Sequence, residues 1–237
     1  MKGIIFRFFS NDSVWGQIMT RAWILIGANI MFVLFSLPIV TAGPAFAALY
    51  HVMLRTLRSD GEISPLKEFW KGFKGNFRQA LVYWLIVLAL VLVGVLDIRF
   101  SVYMGGILTW FKYGIYLIGG SLLILTSFLF PVMAAFDDSL RGLVRNAFYF
   151  IGKNPVRALL IALINAAPIV WTYMDLQRLP LYSFIWVTLG FSACAMAVSS
   201  LLIGDFNRFL PALDEFGNIA EEEKGPDLND EQIQHLL

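Results

Sequence analysis

The stretch SLPIVTAGPAFAALYHV, residues 36–52, is apolar almost throughout, yet it carries two prolines, a glycine and a histidine. It lies within residues 21–54, which hold no charged side chain after Arg21; the next charge is Arg55. One straight helix of that length would measure about 51 Å, against a hydrocarbon core of about 30 Å. The chain must therefore break, and residues 37–44, LPIVTAGP, supply the means. Pro38 disfavours helix at the residue before it, and Gly43-Pro44 reads as a cap followed by a first helical position. The piece after the break, residues 44–58, is only about 22 Å long as helix. Length alone allows it to cross a membrane or to dip in and return.

That a membrane is the right frame follows from composition. Hydrophobic residues make up 58% and charged residues 15%, with a mean hydropathy of +0.70. Soluble domains average roughly 45–50% apolar and about 25% charged, so a chain this apolar cannot cover a soluble surface. A formal net charge of +1 gives no basic excess for nucleic acid. The single cysteine, Cys194, excludes a disulfide framework. PAFAA, residues 44–48, resembles a signal-peptidase site, but the polar lead before Trp23 is too long for a signal peptide and the chain stays apolar past the site. The segment is expected to be retained.

Six apolar segments follow from hydropathy: residues 22–40, 44–57, 80–96, 113–136, 156–174 and 181–204. Charge chooses between the two readings of the second. If it crosses, both termini share one side, and of 18 lysines and arginines only Arg99, Lys112 and Arg178 fall opposite. Such a bias satisfies the positive-inside rule with both termini cytoplasmic, whereas a returning segment would destroy it. Arg55 and Arg58 can snorkel to bring the short helix to the interface. The expected fold is an all-α integral membrane protein of about six transmembrane helices. Residues 1–210 form the membrane domain, and residues 211–237 form an acidic cytoplasmic tail.

Two connectors are amphipathic. Residues 64–78, SPLKEFWKGFKGNFR, place Phe69, Trp70, Phe73 and Phe77 on one face, with Lys67, Lys71, Lys74 and Arg78 between. This predicts an interfacial helix, aromatic face in the lipid and basic residues toward lipid phosphates. Residues 139–154, SLRGLVRNAFYFIGKN, repeat the arrangement more weakly. NFRQAL and NPVRAL then lead into spans, which reads either as an internal repeat or as similar residues reused for a similar task.

The polar lead FFSNDSVWG, the hairpin SLPIVTAGPAFAALYHVMLRTLR and the following FWKGFKGNFRQAL resemble the YesL-like family of small bacterial membrane proteins, a family of unknown function. The resemblance is strongest over residues 1–90 and looser through the last span. Members of that family tend to be encoded near carbohydrate ABC importers, so it implies a bacterial cytoplasmic membrane protein with an accessory part in sugar uptake. It carries no catalytic or ligand residues to assign.

Chemistry is sparse. Two histidines and one cysteine cannot make an ordinary zinc site, and no P-loop is present, so neither a metal nor a cofactor is expected. In the six-span arrangement all acidic residues lie at or beyond span ends, which leaves His51 as the one ionisable group at depth, either packed through hydrogen bonds or acting as a proton relay. Asn29, Asn165, Thr126, Ser192 and Ser199 could line a polar path for a neutral solute or serve as interhelical hydrogen bonds. Tryptophans near span ends, Trp84 and Trp186 among them, read first as an interface belt and second as sugar-stacking platforms. The tail LNDEQIQHLL fits both a docking peptide and plain disorder. The expected function is a non-catalytic accessory or scaffolding subunit whose partners are the bilayer and the permease subunits of a carbohydrate ABC importer. The alternative is a passive or weakly coupled sugar transporter.

Overall fold

The computed structural model describes residues 14–59, 63–104 and 110–210. The acidic tail and the N-terminal lead lie outside the described residues. Among these residues every regular element is helical and no strand occurs. Helix α1 spans Val14–Ser36, α2 Ala42–Arg58 and α3 Pro65–Met104.

The break in the opening stretch falls at residues 37–41. Pro38 is extended (φ −76°, ψ 110°), and a single 3-10 turn, Ile39–Thr41, leads into α2. Carbonyls freed by a break in an apolar setting need donors from elsewhere. The Thr41 hydroxyl lies 2.7 Å from Phe35 O and 2.9 Å from Pro38 O, and its amide donates to Pro38 O at 2.8 Å. The Trp84 indole of α3 donates to Ile39 O at 2.7 Å.

This places the break upstream of the expected Gly43-Pro44 cap. Both residues stand in the first turn of α2, where a proline's missing N–H costs little. Gly43 has another task. A Cβ there would lie 2.3 Å from Trp84 Cβ and 2.8 Å from Ala80 O, so only glycine lets α2 press against α3. Gly72 of α3 does the same further along the pair, where a Cβ would meet His51 Cβ at 2.7 Å. Two glycines, one from each helix, bring the antiparallel pair into close contact.

The first connector is not a separate surface helix. No breaker stands between Pro65 and Met104, so the connector forms the opening turns of a 40-residue helix, about 60 Å long. Its aromatic face points into the protein. Phe69 is fully buried and Phe73 nearly so. Their rings pack on Phe35 of α1 at 5.7 and 4.8 Å between centroids. Trp70 stays partly exposed, with the Lys74 ammonium 4.9 Å from its ring centroid. Lys71 and Lys74 keep exposed positions, as the basic face requires.

Beyond α3 come α4 (Phe111–Ala135), α5 (Leu140–Lys153) and α6 (Pro155–Met174). A 3-10 turn (Leu176–Arg178) and the short α7 (Leu179–Ile185) follow. A π segment (Trp186–Gly190) then joins α8 (Phe191–Phe206). The second connector does become its own helix, α5. Ser139 caps it by accepting from Gly142 N, and Asn154-Pro155 ends it. Its apolar stripe, Leu143, Ala147 and Phe150, packs inward against Phe136 and Phe206.

Among the described residues, five stretches are long and apolar enough to cross a membrane: Ile18–Ser36, Pro65–Ser101, Lys112–Ala135, Pro155–Met174 and Leu176–Phe206. With 17 residues, α2 is not among them. It is instead the hub, packed against α1, α3, α4 and α8, with Ala45, Ala47, Ala48, Val52 and Met53 sealed from the surface. Alanines on this helix allow four neighbours to approach at once. The far half of α3 contrasts sharply: Leu92, Val93, Leu96 and Phe100 are all exposed, as a lipid-facing surface would be.

Candidate functional site

Two cavities flank α2, and the candidate residues divide between them and the packing around them. The first is an apolar chamber of 340 Å³ between α2, α3, α4, α6 and α8. Phe46, Tyr50, Trp84, Phe130, Trp186 and Phe191 supply aromatic walls, and Thr126, Ser127 and Asn165 supply the polar points. Tyr50 Oη donates to Asn165 Oδ1 at 3.5 Å, and Asn165 Nδ2 donates back to Ile161 O at 3.2 Å. Tyr83 and Thr126 share a hydroxyl–hydroxyl bond of 2.8 Å. Trp84 and Trp186, expected as interface anchors, stand on the wall of this chamber.

Asn29 lies elsewhere. It is fully buried and repairs the π segment, whose widened turn leaves backbone groups without helical partners. Its Nδ2 donates to Trp186 O at 2.8 Å and Val187 O at 2.7 Å, while Oδ1 accepts from Ser192 N at 2.9 Å. Both amide hydrogens are used, so this side chain is a latch between α1 and the start of α8. Ser192 turns its hydroxyl to Leu189 O at 2.9 Å. Ser199 is also fully buried, and its hydroxyl has no hydrogen-bond partner among the described residues. The five intramembrane candidates therefore do not converge on one path: Thr126 and Asn165 reach the chamber, whereas Asn29, Ser192 and Ser199 do not.

His51 belongs to the second cavity, a polar cleft of 530 Å³ at the end of the bundle where α2 and α4 finish and α3 begins. Its Nε2 lies 3.2 Å from Glu68 Oε2 and its Nδ1 3.4 Å from Ala134 O. A carbonyl oxygen only accepts and an ionised carboxylate only accepts, so both contacts are filled when the ring carries two protons. Arg55, one turn on, places Nε 4.0 Å from the same Glu68 oxygen. Nearby, Lys153 reaches Asp205 at 2.7 Å and Arg157 pairs with the same carboxylate, tying α5 and α6 to the end of α8.

Glu68 and Arg55 are the residues that a reading by sequence separation passes over. The available signal was their position: Arg55 follows His51 by one helical turn, and Glu68 stands one turn before the small residue, Gly72, that faces His51. Among the described residues no group of three metal-ligating side chains occurs.

Residues 25–98 hold α2, most of α1 and α3, and the glycine contacts that close the hairpin. This stretch is similar to a family described as a protein of unknown function, DUF624. The DUF624 match covers under half of the chain and ends before α4. No curated protein and no solved structure matches the chain.

Proposed function

We propose that the chain is a non-catalytic helical membrane subunit that associates with the permease subunits of a carbohydrate ABC importer in a bacterial cytoplasmic membrane. The observation that carries this reading is how the buried polar groups are used. Asn29, Ser192, Tyr83 and Thr126 satisfy one another or nearby backbone, and Tyr50 and Asn165 pair across α2 and α6. The ionic groups around His51, Glu68 and Asp205 sit at one end of the bundle. A coupled transporter would need an ionisable group at depth that changes partners during transport. The choice of partner rests on the family resemblance of residues 1–90. The proposed topology has six crossings, with α2 as the short second one and both termini cytoplasmic, and rests on the charge bias together with the reversal of direction at residues 37–41.

Affinity purification of the full chain from native membranes in a mild detergent tests the assignment. The expected result is co-elution of importer permease subunits. A lone protein that catalyses sugar flux in liposomes would overturn it in favour of the second reading. That reading, a passive solute transporter, is favoured by the aromatic chamber, whose six rings and Asn165 amide are the surfaces that recognise a sugar's apolar face and hydroxyls. Cysteine labelling in intact cells tests the topology: positions 74 and 153 should be protected from an external reagent, and positions 99 and 178 should be reached.

A further inference from the structure

The apolar chamber runs from an exposed rim to a sealed wall. Val91 of α3, Gly119 and Leu123 of α4 and Ile169 of α6 form the rim, and all four are exposed. Leu49, Phe130 and Ala195 line the inner wall and are almost fully buried. The rim lies deep within the spans. Leu123 stands about 16 Å along α4 from Lys112, and Asn165 about 15 Å along α6 from Pro155, where those spans begin. Both positions are near the middle of a hydrocarbon core about 30 Å thick. The rim also stands clear of residues 105–109, which are not described. Gly119 is about 12 Å along α4 from Phe111, deeper than a connection of five residues can descend and return.

The lining matches that depth. Among its described residues none is charged. Most of its polar side chains are already bonded within the chain: Tyr50 to Asn165, Thr126 to Tyr83, Trp84 to Ile39 O and Trp186 to Thr172 at 3.0 Å. Ser127 is the one hydroxyl on the lining without a hydrogen bond among the described residues. A solute rich in hydroxyls would find few open partners here, so hydrocarbon suits these walls better than a sugar does. Emptiness suits them worst. A void of 340 Å³ forfeits the contacts of every ring around it, and water gains nothing from apolar walls. At this depth the apolar matter outside the rim is lipid chain. Gly119 leaves the way in open, since a Cβ there would meet nothing within 4 Å.

We propose that the chamber holds one acyl chain of a bilayer phospholipid, which enters sideways past Gly119. The chain fills the space between α2 and α8 while its head group stays at the membrane surface. The proposal does not depend on the importer assignment, because the chamber needs filling whatever partner the protein has.

The test uses the full-length protein in nanodiscs that contain phosphatidylglycerol with a diazirine on one acyl chain, at mid-chain or near its methyl end. After irradiation, peptide mass spectrometry locates the adducts. Leu92 and Val93 on the outer face of α3 meet bulk lipid and serve as the internal reference. Adducts are expected on Leu49, Phe130 or Ala195 as well, residues that lipid reaches only from inside the chamber. Gly119→Phe plugs the rim and should lower these inner adducts about tenfold relative to the reference, as overpacking of the entrance implies. Gly119→Leu, a smaller plug, should give an intermediate loss. Gly120→Phe is the control: a Cβ there also meets nothing within 4 Å, but the residue is not on the lining, so inner adducts should stay at the wild-type level. Wild-type adducts confined to outward-facing residues would overturn the proposal whether or not the variants fold. Undiminished inner adducts in Gly119→Phe, or an equal loss in Gly120→Phe, would also overturn it.

Discussion

Residues 64–78 and 139–154 both interleave aromatic and basic residues, the second more weakly, yet they fold differently. The first is the opening of α3 and is built into the core through Phe69 and Phe73. The second is a separate helix, α5, that leaves Phe148 and Tyr149 exposed while burying a narrower stripe. The difference lies in the residues that follow. NFRQAL continues as helix, whereas NPVRAL contains Pro155, which drives Asn154 out of the helical region to φ −149° and ψ 81°. The spacing of apolar residues tells which face is apolar; a neighbouring breaker decides whether the helix stops. What covers the apolar face, protein or lipid, follows from what else is near. For the first connector it is Phe35, brought there by the turn at residues 37–41.

The contrast can be broken most severely at its buried rings. Phe69→Ala removes a sealed side chain and should cost about 3–5 kcal/mol, whereas Phe148→Ala on α5 should cost well under about 1 kcal/mol. Thermal unfolding in detergent measures both, and equal effects would place the two connectors in the same surroundings. Next comes continuity. Arg78→Pro inserts into the first connector the breaker that the second one has, at about 3 kcal/mol for an interior helical position. The expected outcome is loss of folded protein, and normal abundance would show that α3 does not need to be continuous.

Two glycines of the first connector sharpen the comparison further. Gly72→Ala drives a methyl into His51 and should destabilise by about 1–3 kcal/mol. Gly75→Ala enters open space and should stabilise by about 0.5–1 kcal/mol through helix propensity. Opposite signs in one unfolding experiment are the prediction. Smallest is Pro155→Ala. Packing of Leu143, Ala147 and Phe150 and the pairing of Lys153 and Arg157 with Asp205 still hold α5 in place, so the change should stay within about 1 kcal/mol. A loss greater than that of Gly72→Ala would show that the packing alone does not hold α5 in place once the proline that ends it is gone.

Much of this architecture was legible in the chain. Each of the six apolar segments corresponds largely to helix in the structure, because length and hydropathy limit where a membrane chain can be polar. The need for a break near residues 37–44 was likewise legible, since a helix of that length with no charged turn to stand outside the bilayer does not fit one. Its position was not. Gly43-Pro44 looks like a cap, but the donors that satisfy a broken helix come from Thr41 and from Trp84, some forty residues away. Sequence separation hid the site for the same reason. Asn29 and Ser192 stand out as polar residues in apolar runs, yet their meeting at a π segment depends on tertiary packing. The cleft was hidden because Arg55, Arg58 and Lys71 are each explained in sequence by the membrane face they occupy, and only the fold brings them around one opening.

Everything said of the first connector requires that it and the span after it be one helix. Spin labels at Lys67 and Leu96, both exposed, in a Cys194→Ala background would measure this in a lipid bilayer. Over 29 residues of continuous helix the backbone separation is about 43 Å. A connector lying in the membrane plane and turning into its span near Gln79 would give about 31 Å. A single distance distribution centred on the longer value is the result predicted here; one centred on the shorter value would contradict it.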